Sequence, residues 1–457
     1  MKKKLLILFL FLSEMAAAQY SGKSTISIKS LYSTGIDLPF WLIHNQSGII
    51  PLDTKSCQLT SISSYHRVDS LFNSSFGLMG GGNFIGSYSE KLNFRFNELY
   101  AGTTLWKFKL EGGLFSDKVN FNGLSSTNGN IDRSLNAQPY PKIRFGTDEF
   151  IPFFFFKDWF SFKAEYDEGW LGNEQYIKNA HLHHKSLYGK FRLNKQTYFT
   201  AGLDHYVMWG GDSPEYGKLP ATFHSYLIYI TGGKGDSSFP IDDQLNVAGN
   251  QFGSYFLQME FIKSNFNLTF YYNHPFEDHS GMGYDNWRDN LLGIFMDFKK
   301  KAIVEKALYE FMYTINQSGP YCIYGVMRGN DNYFNHGYYK SGYTYKGFVM
   351  ASPLFSPLIF KDNIVTGIEN TRIAMHHIGL EGSLSEHLRW DGMFTYSHNL
   401  GTYDTPYKNP KDQFSSILTF DYNPTKIPVN ISISLAADIG QLYENRLGAM
   451  IKLSKSW

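Results

Sequence analysis

Three groups of side chains in this chain are of types that could do chemistry. The first is the run His181-Leu182-His183-His184-Lys185, whose imidazoles are the commonest nitrogen ligands of zinc and copper. On a strand, His181 and His183 share one face while His184 points to the other. Three ligands would then converge only across a bend, and ordinary polar contacts running into a strand over Ser186 to Leu193 explain the run. No metal and no cofactor are expected. The second group is the carboxylates Glu98, Glu111, Glu165, Glu168, Glu260, Asp391 and Asp438. Glu165 and Glu168 are close enough in sequence to suggest the carboxylate pair of a glycosidase. Arg95, Arg144, Lys163 and Arg389 supply counter-charges that make a structural lining the simpler account. There is no G-x-S-x-G, H-E-x-x-H or P-loop pattern, so the chain is not expected to be an enzyme.

The third group is Asp331 to Tyr345, where aromatics sit beside amides and small residues. Aromatic faces stack on the apolar faces of sugar rings, and Asn, Asp and His satisfy hydroxyls. Tyr333, Asn335, Tyr338, Tyr339 and Tyr343 are therefore candidate surface contacts to a glycan. Structural packing or a membrane-interface girdle would give similar residues.

The elements that must position these groups are strands. Period-two alternation recurs along the chain. Val429, Ile431, Ile433, Leu435, Ala437 and Ile439 oppose Asn430, Ser432, Ser434, Ala436 and Asp438. Phe266, Leu268, Phe270 and Tyr272 oppose Asn267, Thr269, Tyr271 and Asn273, and similar stretches stand near residues 106–111, 255–261 and 387–397. Each is about the 9–11 residues that a tilted strand needs to cross hydrocarbon. The chain holds 39 Phe, 32 Tyr and 8 Trp, yet its mean hydropathy is slightly negative. A membrane barrel reconciles the two, with aromatics on the outside and polar groups within.

Export fits this reading. Lys2, Lys3 and Lys4 precede the apolar run Leu5 to Leu12 and the small trio Ala16 to Ala18, the pattern of a secretory signal peptide over residues 1–18. The apolar run is too short to span a bilayer as a helix. With 42 basic and 41 acidic residues, the charge makes no case for a nucleic-acid partner. Cys57 and Cys322 are far apart in sequence, and their pairing stays open. Reading back from Trp457, the alternating Leu453, Ile451, Ala449 and Leu447 resemble the terminal signal read by the barrel assembly machinery.

The expected fold is all-β, a transmembrane barrel over residues 74–457 with about 16–18 antiparallel strands there, an even total being needed for closure. Residues 19–73 alternate weakly. They are expected to form an N-terminal periplasmic or plug-like segment, holding helices or an early strand pair. Lys118 to Gln138, Gly210 to Asn250, Phe276 to Asn290 and Gly329 to Tyr345 are candidate outer loops or inward folds, while Lys263 to Asn265 and Asn423-Pro424 are candidate periplasmic turns.

Several separated motifs carry a family resemblance. Leu38-Pro39-Phe40-Trp41-Leu42-Ile43-His44-Asn45-Gln46-Ser47-Gly48, His183-His184-Lys185-Ser186-Leu187-Tyr188, Trp209-Gly210-Gly211, and Phe276-Glu277-Asp278-His279-Ser280-Gly281 fall in order along the chain. Asn246 to Tyr255 and Asp331 to Leu354, which includes His336, complete the series. Together they resemble the capsule-assembly (Wzi-like) family of outer-membrane proteins. Tyr343 replaces an expected Trp, and Ala351-Ser352 stands where Gly-Asn is commoner. The resemblance implies an 18-stranded outer-membrane barrel, occluded by periplasmic helices and its own loops, that binds capsular polysaccharide as a surface lectin. The implied partners are capsular or other surface polysaccharide, outer-membrane lipid and the barrel assembly machinery. The alternative is an oligosaccharide porin; Gly210 to Asn250, long and apolar enough in Tyr226 to Ile230 to fold inward as a plug, discriminates between the two.

Overall fold

The computed structural model describes residues 19–71, 75–156, 159–277, 279–323 and 326–457. Among these, long alternating stretches form 18 barrel strands. The first six are β1 (Gln19–Ser33), β2 (Ser56–Leu71), β3 (Phe76–Tyr88), β4 (Leu92–Leu105), β5 (Phe108–Leu114) and β6 (Pro141–Thr147). The next six are β7 (Phe160–Trp170), β8 (His181–Asn194), β9 (Thr197–Trp209), β10 (Asn250–Ile262), β11 (Phe266–Phe276) and β12 (Asn290–Phe298). The last are β13 (Lys306–Tyr313), β14 (Ile373–Ser383), β15 (Leu388–Gly401), β16 (Pro406–Tyr422), β17 (Asn430–Gly440) and β18 (Arg446–Ser456).

Each strand pairs antiparallel with the next, and β1 closes the ring on β18 in a register that sets Ile28 opposite Leu453. Trp457 and Ser24 exchange backbone hydrogen bonds of 3.1 Å across that seam. Closure leaves no open strand edge in hydrocarbon. Strand lengths run from 7 residues in β5 and β6 to 17 in β16, wider than the uniform 9–11 expected.

The alternation sorts side chains as expected. On β17, Leu435 is 55 % exposed on the outer wall while its neighbour Ser434 is 0 % exposed within. The barrel begins at Gln19 rather than near residue 74. The weakly alternating N-terminal segment supplies β1 and β2, because polar residues such as Ser24, Thr60 and Ser64 interrupt their outward faces. Sixteen strands follow from Phe76 onward.

The two ends of the barrel differ. One carries both ends of the described chain and short joints, including those at 195–196, 263–265 and 423–429. The other carries the long connectors 34–55, 115–140, 171–180, 210–249, 277–289 and 314–372. Outer-membrane barrels have short periplasmic turns and longer outer loops, which makes the long-connector end the outer one. The main apolar core lies inside the barrel at that end, built by connector residues such as Trp41, Ile131 and Phe334 against lumen residues such as Phe252, Tyr271 and Met375.

Candidate functional site

Three connectors enter the lumen and bind one another and the wall. The first, 34–55, carries the short helix α1 (Phe40–Ile43), whose four residues are all buried. Phe40 N–H donates to Asp438 on β17 at 2.9 Å, and the Trp41 indole donates to Thr395 on β15 at 3.1 Å. His44 and Asn45 reach the second connector, at Asn136 Oδ1 (2.8 Å) and Ser126 O (3.0 Å). Burial pushes the His44 imidazole down to about 4.

The second connector, 115–140, is anchored by Glu310 on β13. Glu310 Oε2 accepts from Ser126 N–H (2.8 Å) and Oγ–H (2.6 Å), and Oε1 accepts from Ser125 (2.5 Å), Thr127 (3.2 Å) and Tyr271 (2.7 Å). The Tyr271 ring fits because its cross-strand partner is Gly293, where any Cβ would collide with the ring. The third connector, 314–372, locks onto the second through Ser352 N–H to Ile131 O (2.8 Å) and Asn136 Nδ2 to Val349 O (2.9 Å). This plug sets directed polar contacts, above all those on Glu310, within an apolar cluster, and buried polar groups that find their partners specify one arrangement.

Under the plug runs a buried ion network. Arg144 on β6 pairs with Asp167 on β7 (2.6 Å) and with Asp117 (2.9 Å), and Arg133 pairs with Asp117 (2.5 Å) and Glu165 (3.0 Å). His184 bridges to Asp204 on β9 at 2.9 Å. Burial by itself would raise the Asp117 carboxyl, but Arg133, Lys142 and Arg144 hold it well below the usual carboxylate range. Toward the short-turn end the lumen opens into a chamber of about 860 Å³, lined by Arg67, Glu111, Lys163, Lys190, Tyr188 and Glu260 among others. Lys190 pairs with Glu260 at 2.6 Å and Lys163 with Glu165 at 3.2 Å, so cations and carboxylates alternate on the wall. Paired charges beside aromatic faces offer donors and acceptors to a neutral, hydroxyl-rich solute.

The tyrosines expected at the surface are interior. Tyr333, Tyr338, Tyr339 and Tyr343 are all buried. Tyr333 OH donates to Asp289 (2.7 Å), Tyr338 OH to Asp243 (2.7 Å) and Tyr339 OH to Gly210 O (3.0 Å). Tyr343 packs on Phe252 with ring centroids 4.4 Å apart. Half-buried Asn335 folds the connector back on itself, bonding Ile368 through both its amide atoms, and His336 accepts from Tyr339 N–H. Burial pushes the His336 imidazole down to about 4. The expectation of direct surface contact is therefore corrected: these side chains build the plug, and stacking on an external sugar needs exposed rings.

The remaining candidates divide between the two faces of the wall. His184 points inward, while His181, His183, Lys185 and Trp209 point outward, with His183 Nδ1 3.1 Å from Glu168 Oε2 and the Trp209 indole donating to Glu168 Oε1 at 2.9 Å. Glu165 and Glu168 lie on opposite faces of β7, so they form no catalytic pair. Among the described residues, no group of three or more His, Cys, Asp or Glu is arranged to hold a metal ion. Pro39 caps α1 and is buried against Gly448, and Gln46 is half-buried in the first connector. Asp278 lies outside the described residues, as does the side chain of Ser280, and the expected signal peptide at 1–18 does too. Cys57 carries a free, buried thiol.

The segment expected to plug the pore does not. Residues 210–249 cross the rim and place helix α2 (Phe223–Thr231) on the outer wall, against outward-facing Val207 and Trp209. Arg144 takes the place of a lumen counter-charge that the sequence suggested, whereas charge on the lumen face of a strand marks Glu310 and Asp204 only in retrospect. Arg133 sits in a connector with no periodicity to single it out.

The family model described as capsule assembly protein Wzi matches residues 16–357. No curated protein sequence matches the chain. Among solved structures, it is similar to Escherichia coli Wzi, described as an outer-membrane protein involved in group 1 capsule assembly and a carbohydrate-binding β-barrel. The two share 12 % identity with a TM-score of 0.57, over 94 % of this chain and 83 % of that one. It is also similar to Pseudomonas aeruginosa OprD, at 8 % identity and a TM-score of 0.50 over 97 % of each chain. At these identities the structural likeness shows the fold.

Proposed function

Because this chain belongs to the capsule assembly protein Wzi family, we propose that it is a non-enzymatic outer-membrane barrel that binds capsular or other surface polysaccharide and helps assemble or attach it. The observation that carries this reading is the plug. Connectors 34–55, 115–140 and 314–372 fill the outer half of the lumen with an apolar core, which favours display of a rigid outer surface over conduction. Export through a cleaved signal and insertion by the barrel assembly machinery belong to the same proposal.

Since the tyrosines at 333–343 are buried, polymer contact falls on exposed rim side chains beside them. Tyr216 is exposed and its ring meets Tyr338 edge-on at 5.7 Å, while Lys340 pairs with Glu215 and lies 4.9 Å from the Tyr176 ring. Aromatic and charged groups on a fixed scaffold suit a repeating sugar polymer, where weak contacts add through effective concentration. The test is a glycan array probed with refolded protein, with Tyr216→Ala and Tyr176→Ala beside it. Binding to a surface polymer that weakens in both variants supports the reading, and a cell that keeps its polymer attached after loss of this protein refutes it.

An oligosaccharide channel is the second reading, favoured by the polar chamber of about 860 Å³. Planar-bilayer recording separates the two: a large, steady current through unmodified protein would establish the channel.

A further inference from the structure

Two connectors leave the lumen and lie on the lipid-facing wall near the outer end. The helix α2 is fixed there by polar bonds on its inner side: Tyr226 OH donates to Glu168 at 3.2 Å, Gln251 Nε2 donates to Tyr229 O at 2.8 Å, and Lys185 Nζ bonds Ile230 O. Its opposite side is uncovered, with Phe223 76 % and Leu227 41 % exposed one helical turn apart, and exposed His224 and Thr231 flank them, His224 lying 3.7 Å from Asp236 and Thr231 bonded back to Leu227 O. A helix facing water turns its large apolar residues inward, whereas α2 packs Tyr229 inward on Val207 and Trp209 and still leaves Phe223 and Leu227 outward.

Connector 277–289 does the same beside it. Tyr284 stacks on outward-facing Tyr255 and His274, with ring centroids 5.4 and 4.5 Å away, and Trp287 is 62 % exposed, with the exposed Arg288 guanidinium 5.3 Å from its ring as at a headgroup interface. Directly below α2, Leu187 and Leu203 are exposed on the outward faces of β8 and β9 and belong to the apolar belt. The uncovered faces thus continue the belt upward to the level where Trp and Tyr settle at a membrane interface, and an apolar helix face of this kind buries itself at the acyl boundary.

We propose that α2 and residues 279–287 form an apron seated in the outer leaflet, with lipid acyl chains as the partner of Phe223, Leu227 and Trp287. The apron is joined to the plug at the rim, where Asp243 and Asp289 accept hydrogen bonds from Tyr338 and Tyr333. It follows from the barrel fold and is independent of which polymer, if any, the protein binds.

The test places single nitroxide labels on the full chain, in a Cys57→Ala, Cys322→Ala background, at Leu227→Cys and Trp287→Cys. Leu187→Cys serves as the belt reference and Lys218→Cys as the water reference, and Phe223→Cys replaces Leu227→Cys should that variant fail to fold. After refolding into bilayer vesicles, collision with oxygen, which concentrates in lipid, is compared with collision with a water-soluble nickel chelate. The expected oxygen-to-nickel ratio at both apron positions matches Leu187 and lies several-fold above Lys218. A ratio equal to that at Lys218 overturns the proposal. Shielding from both reagents overturns it too, since that result places protein, from a second copy or another partner, over the apron.

Discussion

From the second connector Glu310 gathers more hydrogen bonds than other wall partners such as Asn273 and His377, and replacing it separates charge from geometry. Five donors from Ser125, Ser126, Thr127 and Tyr271 converge on one carboxylate. In Glu310→Gln the amide can turn its NH2 toward the three hydroxyls on the Oε1 side, which can rotate to accept. The remaining carbonyl oxygen still accepts from the Ser126 backbone N–H, a donor that cannot adapt. The loss is then of charge assistance only, about 1–2 kcal/mol, or about 5- to 30-fold in the opening equilibrium. Glu310→Ala leaves the Ser126 N–H and several hydroxyls without an acceptor in a buried site, for about 3 kcal/mol or more and upward of about 100-fold. Amide hydrogen exchange, followed by mass spectrometry on peptides covering 118–138 and normalised to intrinsic rates, reads that equilibrium directly. Exchange in 210–249, outside the lumen, should stay unchanged. Wild-type protection of 118–138 in the Ala variant, or equal exposure in the Gln and Ala variants, would refute the anchoring argument.

Three further outcomes are expected. Burial pushes the Asp289 carboxyl up to about 6, so its contribution to stability is complete below its unfolded value and is lost as pH rises through about 6. Tyr333→Phe should therefore loosen the third connector by about 1 kcal/mol at pH 5, where the acceptor is neutral, and by about 1.5–3 kcal/mol at pH 8, where it is ionised; equal hydrogen-exchange penalties at both values would contradict this. Trp41→Ala removes a fully buried indole and its bond to Thr395 and should destabilise the packed plug by about 3–5 kcal/mol, seen as early protease cleavage within 34–55, with Trp41→Phe intermediate. Leu435→Arg, at mid-strand on the outer wall, should destabilise folding into lipid vesicles by about 2–4 kcal/mol, and a shift near zero in the urea midpoint would mean that this face does not meet hydrocarbon.

The candidate site was only partly legible. Spacing alone puts His183 and His184 on opposite faces, and the structure sends His184 to Asp204 inside and His183 to Glu168 outside. The same arithmetic separates Glu165 from Glu168. It failed at Tyr226 to Ile230, where apolar character suggested a lumen plug and the helix lies on the outer wall. Hydrophobicity says that a segment avoids water, and in a membrane barrel both the plug and the lipid satisfy that requirement. It also failed at Tyr333 to Tyr343, because a tyrosine suited to stack on sugar is equally suited to bury its ring and donate to an aspartate.

What the sequence determined by itself is the wall. Strand period two is local, so the order of residues in Val429 to Ile439 already decides which side chains meet lipid and which meet the lumen, and closure follows because backbone groups cannot stay unpaired in hydrocarbon. What only the tertiary structure decided is the filling. Whether connectors 34–55, 115–140 and 314–372 turn inward while 210–249 and 277–289 turn outward depends on partners hundreds of residues away, such as Asp438 for Phe40 and Glu310 for Ser126. Such bonds form between residues that adjoin only after the ring has closed, and no periodicity along the chain can encode them.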